Sequence, residues 1–143
     1  MKKLLTLLAL FSGLAISALA QSGKITGKLT YPSDAIPRDM VLCVKVISLA
    51  TEPTYCSNDR AARLRESKIT FKLNYRAASH EISLPAGSYH LYATTGEMPG
   101  VKAYYNDFVK CGMNVNCTSK RPIAVKVRPG QITRGITVGD FWE

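Results

Sequence analysis

Residues 81–95 read EISLPAGSYHLYATT, and the reading of this stretch decides the fold. Ile82 and Leu84 alternate with Glu81 and Ser83; Tyr89, Leu91 and Ala93 then alternate with Ser88, His90 and Tyr92. A period of two marks a strand with one covered face, because successive side chains point to opposite sides of a sheet. Between the runs stands Pro85-Ala86-Gly87, where Pro presets its own φ and Gly tolerates φ > 0. Strand, tight turn, strand predicts a β-hairpin.

The same period recurs on both sides. Residues 68–75, KITFKLNY, set Ile69, Phe71, Leu73 and Tyr75 against polar neighbours. Residues 24–31, KITGKLTY, do the same with Ile25, Leu29 and Tyr31, and Gly27 falls on the apolar side, marking a bulge or a close backbone approach. The run 40–49, MVLCVKVISL, is apolar enough for a strand covered on both faces, with Lys45 on the wetter side. Thr51-Glu52-Pro53 turns the chain, and Thr54-Tyr55-Cys56 returns as a short partner strand. Segment 57–67, SNDRAARLRES, reads as a solvated loop or one helical turn, with Arg60, Arg63 and Arg65 as a candidate basic contact.

Toward the C-terminus, 101–105 predicts a short strand and 106–118 an irregular loop. Residues 122–128 and 131–138 predict two more strands around a Pro129-Gly130 turn, with Arg134 sharing the parity of Ile132, Ile136 and Val138. About seven strands and no long amphipathic helix predict an all-β fold: an antiparallel β-sandwich, Greek-key in connection.

The first twenty residues read differently. Lys2 and Lys3 precede an apolar run from Leu4 to Leu14, and Ala18-Leu19-Ala20 forms a small-x-small cleavage site. The expectation is a signal peptide over 1–20 and one domain over 21–143, with Gln21 as the mature N-terminus. The apolar run is too short for a stable span, and no transmembrane segment is expected in the mature chain. Periplasmic or secreted localisation follows. Loss of Lys2 and Lys3 takes the formal charge from +9 to +7. That charge suits solubility or attraction to an anionic partner such as envelope polysaccharide, lipid head groups or an acidic protein. The chain carries no nucleic-acid recognition motif, and no nucleic acid is expected as partner.

Four cysteines, Cys43, Cys56, Cys111 and Cys117, are an even set for an oxidising compartment. Of the three connectivities, Cys43–Cys56 and Cys111–Cys117 close the shortest loops. A hairpin pairing Val46 with Pro53 also sets Cys43 opposite Cys56. Metal binding by the four is disfavoured, since neither C-x-x-C spacing nor a His-rich cluster is present.

Three pieces carry a family likeness: ITGKLTYPSDAIP, ISLPAGSYHLYA and CGMNVNCTSKRPIAVKVRPGQITRGITVGDFW. Together they resemble the carboxypeptidase regulatory-like (transthyretin-like, prealbumin-like) β-sandwich domain, with the C-x5-C loop and closing Asp-x-Trp similar to a subset in exported bacterial proteins. The resemblance implies a non-catalytic domain that supports folding or binds protein or carbohydrate. The transthyretin-like hydrolases of purine degradation end in Tyr-Arg-Gly-Ser, whereas this chain ends in Asp-Phe-Trp-Glu, so that activity is rejected.

No G-x-S-x-G, H-E-x-x-H or phosphate-binding glycine loop occurs. His80 and His90 flank the 85–87 turn and read as surface residues rather than a metal pair; no metal, cofactor or catalytic residue is expected. Asn116-Cys117-Thr118 is a sequon without expected meaning in a bacterial export product. Tyr104, Tyr105, Phe108 and Trp142 are the candidate ligand-binding aromatics, able to stack on sugar rings if they project together. The expected function is an exported, non-enzymatic binding or structural domain of the bacterial envelope, its ligand carbohydrate or protein. The alternative is a small periplasmic enzyme inhibitor acting through the disulfide-tied segment from Lys110 to Lys120.

Overall fold

A computed structural model describes residues 21–142; the expected signal peptide lies outside the described residues. Among the described residues, nine strands form two sheets. In chain order these are β1 (Ser22–Lys28), β2 (Val41–Val46), β3 (Thr54–Cys56), β4 (Thr70–Asn74), β5 (Ser79–Pro85), β6 (Gly87–Thr94), β7 (Ala103–Tyr104), β8 (Val125–Val127) and β9 (Ile132–Thr133). Two short helices interrupt them, α1 (Ala61–Glu66) and α2 (Asp107–Cys111). The first sheet runs β4-β5-β1-β9, antiparallel except for β9, which lies parallel to β1. The second runs β3-β2-β6, and the far edge of β6 is shared by β7 and β8. The fold is an all-β sandwich.

The 81–95 stretch is two strands, as its period requires, but it is not a hairpin. β5 pairs with β4 and β1, while β6 pairs with β2, β7 and β8. Both edges of each strand are taken, so the chain crosses at Pro85-Ala86-Gly87 from one sheet to the other. None of these three residues takes the positive φ that a two-residue hairpin turn demands. Tyr89 fixes the corner by donating its hydroxyl to the Pro85 carbonyl at 2.6 Å, and burial raises that phenol to about 12. The hairpin lies one turn earlier: Asn74 pairs with Ser79, and the Asn74 Oδ1 accepts from the Ala77 amide across the loop.

The crossing brings the two covered faces together. Ile25, Ile82 and Leu84 of one sheet meet Leu42, Val44, Leu91 and Ala93 of the other, all fully buried. Side chains of this kind contribute roughly 1.5–3 kcal/mol each when buried. Cys43 stands opposite Cys56 in the β2–β3 ladder, and both expected disulfides form, Cys43–Cys56 and Cys111–Cys117. The expected strand over 131–138 shortens to β9. Gly135 at φ 75° breaks the alternation there, so Ile132 and Arg134 stay exposed while Ile136 and Val138 enter the core.

That C-terminal segment drapes over β1 at Gly27. A Cβ at Gly27 would lie 1.8 Å from the Ile136 carbonyl oxygen, so the close approach expected from the sequence is real. Gly27 stands opposite His80, which reaches Ile136 O with Nε2 at 2.7 Å. His80 is therefore a core residue at 4 % exposure, not a surface one. Among the described residues, no helix is long and apolar enough to cross a membrane.

Candidate functional site

Alternation along β2 and β6 that sends Leu42, Val44, Leu91 and Ala93 inward sends Lys45, His90 and Tyr92 outward. Register then decides their neighbours. Lys45 stands opposite His90, and Tyr92 stands between Cys43 on one side and Tyr104 on the other. The result is an aromatic group on the outer face of the second sheet. Tyr104 lies 5.1 Å from Tyr92 between ring centroids, tilted by 49°, and meets the His90 ring edge-on at 6.3 Å.

Cations frame this group. Lys102 lies over the Tyr92 ring, 5.3 Å from its centroid, and Lys45 bonds Glu52 at 2.6 Å. Tyr92 is almost covered, while Tyr104 is half-exposed. Burial, and then the Lys45 charge, hold His90 below its ordinary range against the opposing pull of Glu52. At neutral pH the face therefore offers one accessible phenol ring, a neutral imidazole, the Lys102 ammonium and a Lys45 ammonium shared with the Glu52 carboxylate. A flat apolar ring face can stack on Tyr104 while anionic or hydroxyl groups meet Lys45 and Lys102.

The other sequence candidates go elsewhere. Tyr105 is a core residue at 9 % exposure. Phe108 sits beneath Lys120, whose Nζ is 5.2 Å from the ring centroid and also donates to the Trp142 carbonyl. Trp142 is 36 % exposed at the opposite end of that lysine link. The four expected aromatics thus do not make one platform; only Tyr104 does, with His90 and Tyr92. The three arginines also separate in role. Arg63 stacks on Tyr55 at 4.6 Å, pairs with Asp59 and donates to Thr54 O, so it staples α1 to β3. Arg65 on that helix and Arg60, the N-cap residue before it, are exposed.

His80 and His90 belong to different sheets, one facing the core and one facing out, and make no pair. Among the described residues, no group of three or more His, Cys, Asp or Glu is arranged to hold a metal ion. A recess of about 590 Å³ lies away from the aromatic face and is lined by Asp34, Ile36, Arg38, Leu73, Tyr75 and Arg76. The remaining outer surface, on the first sheet, is polar. Glu81 there is bonded by Lys24 at 3.2 Å and approached by Lys72 at 3.6 Å.

His80 carries a separate consequence for stability. The Ile136 carbonyl only accepts, so Nε2 holds the proton, and Nδ1 is buried without a partner. Burial lowers its affinity for a second proton below the ordinary value of 6.5, outweighing the hydrogen bond to Ile136. The unfolded chain then binds more protons than the folded one as pH falls below about 6.5. Stability is fully present above that pH and is lost as pH drops through the lower folded value. His80→Gln keeps a donor for Ile136 and removes the titration. Urea unfolding at stepped pH should show a shallower acid slope in the variant; identical slopes would assign the acid sensitivity to other groups.

Comparison with family models, curated proteins and solved structures gives no match to this chain.

Proposed function

We propose that the chain is an exported, non-enzymatic binding domain of the cell envelope, periplasmic or secreted, built on a carboxypeptidase regulatory-like sandwich. Its ligand is an anionic carbohydrate held on the outer face of the second sheet. The observation that carries this reading is the half-exposed Tyr104 ring set between His90 and Tyr92, with Lys45 and Lys102 beside it. Sugar rings present an apolar C–H face suited to stacking on a phenol, and uronate carboxylates suit lysine ammoniums. The two intramolecular disulfides and the expected leader support an oxidising compartment. The family assignment rests on the turn and core residues of the three resembling segments.

Affinity electrophoresis through gels containing polygalacturonate tests the reading, with dextran as the uncharged control. The wild type should be retarded by the acidic polymer alone, and less so as salt rises, because exposed charges are screened over about 8 Å at physiological ionic strength. Tyr104→Ala should weaken retardation by about tenfold, the upper range of one aromatic contact. Equal mobility of variant and wild type in both gels would remove the sheet face from the reading.

A further inference from the structure

The excursion between β7 and β8 is built as a rigid display. Its base is closed by the Asp107 amide, which donates to Arg121 O at 3.0 Å. Asn106 caps α2 through Oδ1 to the Val109 amide at 3.0 Å, and Val109 anchors the helix in the core. Beyond α2 the chain reverses through Gly112 at φ 102° and Met113 at φ 53°, with the Met113 amide donating to Phe108 O. Asn114 then folds the tip on itself: its Oδ1 accepts from the Asn116 amide and its carbonyl from the Cys117 amide, both at 2.9 Å. Cys111–Cys117 locks the ring.

At the apex of this ring stands Val115, 95 % exposed, the most exposed of the large hydrophobic side chains described. An exposed valine on a slack loop needs no explanation. Here a cross-link, a cap and a turn of hydrogen bonds all fix its direction, which removes much of the ordering cost of inserting it into a partner. The 106–122 loop also carries Lys110, Lys120 and Arg121 against one acidic residue, Asp107, whose carboxylate pairs with Arg121 at 3.4 Å.

We propose that the 106–122 loop is an interaction surface for a second protein, with Val115 entering an apolar pocket whose rim carries carboxylates. A protein pocket is favoured over a lipid bilayer because Asn114 and Asn116 flank the valine. Their amides find hydrogen-bond partners at a protein rim and none among acyl chains. The proposal does not depend on the sheet face: Tyr104 lies outside the loop.

The test uses the full mature chain with a photoreactive benzoyl-phenylalanine in place of Val115, irradiated in an envelope extract of the source cells. The same probe in place of Ser33, exposed in another loop, is the control. The expected result is a protein adduct specific to position 115 whose mapped peptide joins apolar residues to Asp or Glu. Titration of that purified protein should then show binding weakened by about tenfold or more with Val115→Asp, from the lost apolar burial and the added negative charge facing the carboxylate rim. Cys111→Ser with Cys117→Ser should also weaken it, and Tyr104→Ala should leave it unchanged. No adduct above the Ser33 control, an adduct with lipid, a mapped peptide without carboxylates, or equal binding by Val115→Asp would each overturn the proposal. Val115 touches no core, so its variants fold normally, and their circular dichroism verifies this.

Discussion

Gly27→Ala is expected to leave the domain largely unfolded or unexpressed. The added methyl would fall 1.8 Å from Ile136 O, 2.4 Å from its carbonyl carbon and 2.8 Å from its nitrogen. All three obstacles are backbone, so no rotamer change relieves the clash. The 134–138 segment must lift off β1. It then loses the Ile136 amide bond to Thr26 O at 3.2 Å and the His80 bond to Ile136 O, which leaves the imidazole buried with neither nitrogen satisfied. Overpacking and a stranded buried polar group both belong to the mechanisms that produce losses above about 4 kcal/mol. A domain of this size is stable by about 5–15 kcal/mol, so such a loss consumes most of the margin. Gly135→Ala is the control: φ is 75° but nothing lies within 4 Å of the added Cβ, so only backbone strain of about 1 kcal/mol is expected. Urea unfolding of the two variants checks this. Equal midpoints would mean that the C-terminal segment does not rest on Gly27.

Asn106→Leu should be the next most damaging change, lowering stability by about 3 kcal/mol. Asn106 is 3 % exposed and acts twice. Its Oδ1 caps α2, and its Nδ2 donates to Asp140 Oδ2 at 2.6 Å. Loss of the cap costs about 1 kcal/mol, and loss of a bond to a buried carboxylate about 1.5–3 kcal/mol. The second loss is severe here because Asp140 Oδ1 already lacks a hydrogen-bond partner, with only Lys120 Nζ nearby at 3.7 Å. Asn106→Ser separates the two roles: a serine still caps α2 but is too short to reach Asp140. The expected order of stability is wild type, serine, leucine. Cleavage within 112–118 by a protease should accelerate in the same order, since both bonds hold the base of the loop. A serine variant no more stable than leucine would make the cap irrelevant.

The covered faces of this sandwich were legible, because a period of two states which residues point inward. The Cys43–Cys56 register was legible for the same kind of reason: a turn at 51–53 sets the count across two neighbouring strands. Partners distant in sequence were not. Alternation through 81–95 says nothing of which strands bond to either half, so a crossing between sheets reads like a hairpin. His80 did leave a signal, since it shares parity with the buried Ile82 and Leu84. Arg134 left another, as the break in parity that Gly135 explains. At the site, Tyr104 could be picked out by type. Its neighbours His90, Tyr92 and Lys45 needed the β2–β6–β7 register, which depends on pairings tens of residues apart. Arg63 looked like a free cation because its partners Tyr55 and Thr54 O are reached only once β3 and α1 are folded together.

Amide and aromatic chemical-shift mapping with oligogalacturonate locates the ligand surface without any substitution. Shifts should concentrate at His90, Tyr92, Tyr104, Lys45 and Lys102 and shrink as salt is raised. Shifts confined to Thr26, Lys72 and Glu81 on the opposite sheet, or none at millimolar ligand, would contradict a binding role for the aromatic face.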